Sequence, residues 1–164
     1  MADFYGTLAG ADAYHLARGN TTWTGSDQLK NEALLRGTEY IDHAYRSDFP
    51  GNKTGLRDQL REWPRTDAAD VNGNYIPTDE VPDEVPDATY EAALRELVSP
   101  NSLQPDYTPS GQRKSVQVDV IKIEYTAPHG AQSVQPVVTV IRGILAPILT
   151  GSSSSTIAGR AVRT

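Results

Sequence analysis

The chain has no cysteine, one methionine and two phenylalanines in 164 residues. No disulfide, thiolate nucleophile or cysteine-held zinc can form, so packing or neighbouring chains must hold the fold. Aromatic residues make up 7% of the sequence and hydrophobic residues 38%, which permits one modest core. No apolar run approaches the roughly 18 residues a membrane helix needs, and MADFYGTLAG lacks the basic-then-apolar order of a signal peptide. The expectation is a protein made and kept in a cytosol-like compartment, without a membrane partner.

Chemistry-bearing motifs are missing as well. The phosphate-cradling GxxxxGK[ST], the dinucleotide GxGxxG and the nucleophile-elbow GxSxG do not occur. His15, His43 and His129 stand apart with no metal-ligand spacing and are expected at the surface or its edge. The run Asp70-Val71-Asn72-Gly73-Asn74 begins like a calcium loop. Such a loop requires glycine at about its sixth position and glutamate at about its twelfth, whereas this run has Gly73 fourth and Val81 twelfth. No catalytic residue, cofactor or metal site is therefore expected, and no enzyme.

What is present begins with charge. The net charge is −6, unevenly spread. Acids against bases count 9 to 8 over residues 1–65, 10 to 1 over 66–106 and 2 to 6 over 107–164. An acidic middle and a basic C-terminal third favour contact between copies or with a partner, although dense charge is also what a solvated surface requires.

Helix signals punctuate the first half. Thr7 caps a helix to about Arg18, with Leu8, Ala11, Leu16 and Ala17 inward and Gly19 as its stop. Thr24 or Ser26 starts a second, in which Leu34, Leu35, Thr38, Ile41 and Tyr45 recur at helical spacing. A loop over 47–55 leads to a short helical piece over 56–63 that Pro64 ends. Residues 71–75 form a tight Asn-Gly turn with short extended arms. A helix from Asp83 or Pro86 to Val98 buries Ala88, Ala92, Ala93, Leu94 and Leu97, and its small residues imply close helix packing. Prolines 100, 105 and 109 mark a linker or arm. The β-branched run SVQVDVIKIEY changes phase midway, which suggests a bulge or a strand covered on both faces. Residues 136–149 return to helical spacing until Pro147 kinks or ends them.

The fold class read from these signals is mainly α. It is a small bundle of about four to five helices with a short β-hairpin or strand element near 115–126. Residues 1–149 form the domain and 150–164 a flexible, extended C-terminal tail or arm. Trp63 and Arg65 belong to residue types favoured as interface anchors, although Trp63 can equally plug the core. Ile157, Arg160 and Arg163 are the tail's candidates for partner contact.

The order of these blocks resembles the head-tail connector (adaptor) proteins of tailed bacteriophages and the related sequences labelled DnaT-like single-stranded-DNA-binding proteins. The resemblance rests on ADAYHLARGN with Trp23, ALLRGTEYIDHAYR, QLREWPR, DVNGNYIPTDEVPDEV leading into ATYEAALREL, the strand ending KIEY, and the closing helix. It spans most of the chain, with no single block specific. The connector resemblance implies a structural virion protein at the neck, synthesised in the host cytoplasm and working without catalysis. It forms a ring, commonly of twelve copies, between the portal protein and the next neck or tail-completion protein. Genomic DNA would pass through that ring unread. Charge alone then places Asp79, Glu80, Asp83, Glu84 and Asp87 at the channel or a subunit seam.

The rival reading is a single-stranded-DNA-binding replication accessory that holds its strand through Arg113, Lys114, Arg160 and Arg163. Against it stands the weak basic footprint of a chain whose pI is about 5.0, with no stacking platform evident.

Overall fold

The computed structural model describes residues 3–105 and 138–150, together with the backbone of strand residues 115–118 and 121–124. Its helices are α1 (Leu8–Ala17), α2 (Asp27–Tyr45), α3 (Glu84–Val98) and α4 (Thr139–Leu145). The strands are β1 (Asn52–Lys53), β2 (Arg65–Thr66), β3 (Ser115–Val118) and β4 (Ile121–Glu124). The chain is thus a mainly helical bundle carrying a short two-stranded hairpin.

Local chemistry sets the helix ends. The Thr7 hydroxyl accepts from the Gly10 amide at 2.9 Å, and Ser26, rather than Thr24, accepts from the Leu29 amide at 3.3 Å. Gly19, at φ +66°, follows α1 in the left-handed conformation that glycine takes most cheaply.

Helices α2 and α3 form the main packing pair. A Cβ added to Gly37 would lie 2.9 Å from both the Thr89 carbonyl oxygen and the Ala93 amide nitrogen. The two backbones therefore touch at this point, which is why α3 turns Ala88, Thr89, Ala92 and Ala93 inward. Helix α4 closes one side of the core. Ile141 and Leu145 are fully buried in the same cluster as Ile41, Trp63, Val85 and Leu103. A second cluster gathers Tyr14, Trp23, Leu34 and Tyr90 around α1.

Several expectations change. Leu16 is 84% exposed, because Ala11, Tyr14 and His15 define the inner face of α1 and Leu16 lies a further turn-fraction round. Residues 56–63 hold only a 3-10 turn, Leu56–Asp58. There the Gln59 side-chain amide accepts from the Gly55 amide at 2.8 Å and donates to the Arg61 and Pro64 carbonyls, both at 2.9 Å, in place of helical bonds. Leu94 and Leu97 are only partly buried, while Glu91 and Glu96 on the same helix are buried. The phase change in SVQVDVIKIEY is a reversal of the chain. Strands β3 and β4 pair antiparallel with Val118 opposite Ile121, leaving two residues between them. The proposed tail at 150–164 lies outside the described residues from 151 onward.

Candidate functional site

The block QLREWPR is where the sequence concentrates its unusual features, and it sits on a buried polar junction. The Tyr5 hydroxyl donates to the Asp42 carboxylate at 2.6 Å and accepts from the Trp63 amide at 3.0 Å. Asp42 also accepts from the Glu62 amide at 3.3 Å. Burial pushes the Tyr5 hydroxyl and the Asp42 carboxyl both above their ordinary values. One hydroxyl and one carboxylate thus tie the N-terminal segment, α2 and the block together.

Trp63 is 2% exposed and packs edge-on against Phe49 at 5.6 Å between ring centroids. Arg65 is similarly enclosed. Its guanidinium donates to the Pro50 carbonyl at 2.6 Å, the Gly51 carbonyl at 2.8 Å and the Glu62 carboxylate at 3.0 Å. Both residues named as interface anchors are therefore placed in the core, their polar and apolar surface turned to the chain itself. Around them Glu62 also receives Arg46 at 2.9 Å and Lys53 at 3.9 Å, and Arg61 reaches Asp42 at 3.6 Å.

His15 is buried, not peripheral. Its Nε2 lies 3.1 Å from the Tyr90 carbonyl oxygen and its Nδ1 lies 3.0 Å from the Asn20 side-chain amide. A neutral ring, with the proton on Nε2, satisfies both partners. Burial holds its pKa below the ordinary imidazole value, against the opposing pull of Glu91. Nearby Asp12 accepts from Trp23 at 2.7 Å and Lys30 at 2.8 Å, and the Lys30 bond leads in lowering its pKa. Helical periodicity could not reveal this histidine's place, because its partners are an asparagine five residues on and a backbone carbonyl 75 residues away. His43 is exposed, and His129 lies outside the described residues.

Lysines and arginines in the described body are largely committed. Lys30 pairs with Asp12, Arg36 with Glu96 at 3.3 Å, and Arg95 with Glu91 at 2.9 Å, in addition to the set around Glu62 and Asp42. Only Arg18, Arg57 and Arg142 have no carboxylate partner among the described residues. Arg18 lies over the Tyr14 ring at 3.3 Å from its centroid. The candidate DNA contacts Arg113, Lys114, Arg160 and Arg163, and Ile157 with them, fall outside the described residues.

The acidic segment divides. Glu80, Asp83 and Glu84 join Asp70 around a groove of about 260 Å³, whose apolar lining includes Ile76, Pro77, Pro82 and Ile148, with Tyr75 at its wall. Asp79 is exposed outside that lining. Asp87 is half-buried on α3, where burial raises its pKa against the opposing pull of Arg18. Among the described residues no cluster of histidine and carboxylates is arranged to hold a metal ion. No helix there is long and apolar enough to cross a membrane.

A helical bundle with buried polar junctions in its core, its charge divided along the chain, defines a class that many proteins share. Comparison with known families supplies the rest. The family described as "Putative DnaT-like ssDNA binding protein" matches residues 1–164, and the chain belongs to it. No curated protein and no solved structure matches the chain.

That finding overturns the connector reading. The expected twelve-fold ring, the portal and neck partners, the unread passage of genomic DNA and the place in the virion are withdrawn with it. A physical cause for the misreading is visible in the blocks that carried the resemblance. QLREWPR and ALLRGTEYIDHAYR meet in the Tyr5–Asp42–Trp63 junction, and ATYEAALREL supplies the small face opposite Gly37. These blocks report a core and say nothing of what the protein touches.

Proposed function

We propose that this chain is a single-stranded-DNA-binding accessory protein that acts without a catalytic step and grips its strand with the basic C-terminal third. The observation that carries the reading is membership, over residues 1–164, of a family described by that binding. The disposition of charge supports it. A strand needs cations free to meet phosphates, and the described body directs most of its own to internal carboxylates. Residues 107–164 carry six cations against two acids. Although the sequence shows no stacking platform, Tyr107 and Tyr125 lie on either side of Arg113, Lys114 and Lys122 in it, and each ring is one on which a base can stack.

The test is fluorescence anisotropy of a labelled oligothymidylate across a salt series. Wild-type affinity is expected to fall steeply with salt. Replacing Arg113, Lys114, Arg160 and Arg163 together by alanine should weaken binding at least about tenfold at low salt. It should also reduce the slope of log affinity against log salt by about 3, at roughly 0.7 for each phosphate left without its cation. No binding by the wild type at low salt, or equal binding by the variant, overturns the proposal.

A further inference from the structure

The groove beside α3 has features that neither the core nor the proposed strand contact explains. Asp70, Glu80, Asp83 and Glu84 line it, and among the described residues no lysine or arginine does. None of the four pairs with a cation among the described residues. Asp70 is fixed in its turn, accepting from the Asn72 and Asn74 amides at 2.9 and 2.8 Å, and its bonds to Asn74 and Asn72 hold it ionised. Prolines 77 and 82 line the groove, and Tyr75 at its wall is 64% exposed. A carboxylate-rimmed groove with an open aromatic face suits a guanidinium, which can pair with the rim and stack on the ring.

The chain's own exit lies beside it. Ile148 lines the groove, and the Pro147 carbonyl accepts from the Val71 amide at 2.8 Å. Thr150 is pinned two residues after Ile148, its amide donating to the Asp48 carbonyl at 2.7 Å. The segment that follows, GSSSSTIAGRAVRT, has two arginines and no aspartate or glutamate. It also places Ile157 and Val162 beside Arg160 and Arg163. Arg160 lies ten positions beyond Thr150, a reach of roughly 33 Å when extended. Tethering at this range gives a local concentration in the millimolar range.

We propose that this groove is the docking site for the chain's own segment 151–164, with Arg160 and Arg163 on the carboxylate rim and Tyr75, and that single-stranded DNA competes for the same two arginines. The docking stands by itself, while the competition rests on the strand-binding reading above. A bound strand releases the segment, and the groove lowers the resting affinity for nucleic acid.

The absence of cysteine makes the test clean. A nitroxide on Thr164→Cys is attached to isotope-labelled full-length protein, and relaxation enhancement is read at backbone amides. Docking predicts enhancement centred on Tyr75, Glu80 and Glu84, abolished by Glu80→Gln/Asp83→Asn/Glu84→Gln and by Arg160→Ala/Arg163→Ala. Enhancement elsewhere, or unchanged in both variants, overturns the docking. A second sample mixes spin-labelled chains of natural isotope abundance with isotope-labelled chains that carry no nitroxide. Enhancement of the groove amides at full strength in that mixture overturns the intramolecular form and assigns the groove to a second copy.

Competition is read separately as oligothymidylate affinity. The groove variant should bind about 3- to 10-fold more tightly, beyond a control of equal charge change, Asp27→Asn/Glu32→Gln/Asp58→Asn. Equal affinity in variant and control overturns the competition. Absence of oligonucleotide binding by every form overturns the strand-binding reading and the competition with it, and the relaxation data still decide the docking.

Discussion

His15 and Tyr5 illustrate how single polar groups are committed inside this protein. The His15 ring is 1% exposed and neutral, donating from Nε2 and accepting at Nδ1. Protonation would turn Nδ1 into a donor facing the Asn20 amide, itself a donor. The folded pKa is lowered, so the unfolded chain takes up the proton first as pH falls below about 6.5. This stability is fully present above that value and is lost as pH drops to the folded pKa, by at most about 1.4 kcal/mol per pH unit. Urea midpoints between pH 7.5 and 5 should fall for the wild type. His15→Gln should lose that component, and equal slopes would remove the residue from the account. Glu91, Asp12 and Arg18 face the ring and shape where the transition lies. This site could not be found by reading along the chain, because a buried histidine and a surface histidine look alike until their hydrogen-bond partners are placed.

Among the elements, the contact of α2 with α3 is the most exacting. Gly37→Ala puts a methyl carbon at 2.9 Å from two backbone atoms of α3, neither of which belongs to a flexible side chain. Alanine favours an isolated helix by about 1 kcal/mol over glycine, so propensity alone predicts stabilisation. Overpacking at about 1–3 kcal/mol opposes it, and the contact with backbone makes that term the larger. The variant's thermal midpoint should drop by several degrees, and a rise would show that the helices separate freely. Much at this scale was legible. Thr7, Ser26 and Gly19 are local punctuation, and the alanines of α3 announced a close neighbour. The neighbour's identity, Gly37, was not legible, since a mid-helix glycine carries no label for the helix it meets. The expected helix over 56–63 failed for a similar reason. Gln59 bonds to backbone groups at a range that periodicity does not sample.

For the whole molecule, the division of charge between an acidic middle and a basic last third was readable by counting. Its meaning was not, because the blocks that carried the resemblance build the core. A chain ended at Thr150 tests the division. Thr150 itself, pinned to Asp48, is kept, so the thermal midpoint should change by less than about 2 °C, well under the shift expected for a loss of 1 kcal/mol. The slope of log affinity for oligothymidylate against log salt should shrink by about 1.4, two contacts at roughly 0.7 each. A full-sized slope in the truncated chain would locate the grip elsewhere.

Leu103, just beyond α3, and Ile141, within α4, are buried in one cluster, and α4 packs on α3. Residues on both sides of 106–137 thus belong to one wall of the described body. The sequence that carries β3 and β4 therefore has both of its attachment points on one panel. The entropy of closing a segment between two such points changes only slowly with its length. A short linker in place of residues 106–137 is thus expected to leave the panel folded, and a collapse of its thermal midpoint would show that the panel depends on what the linker replaced.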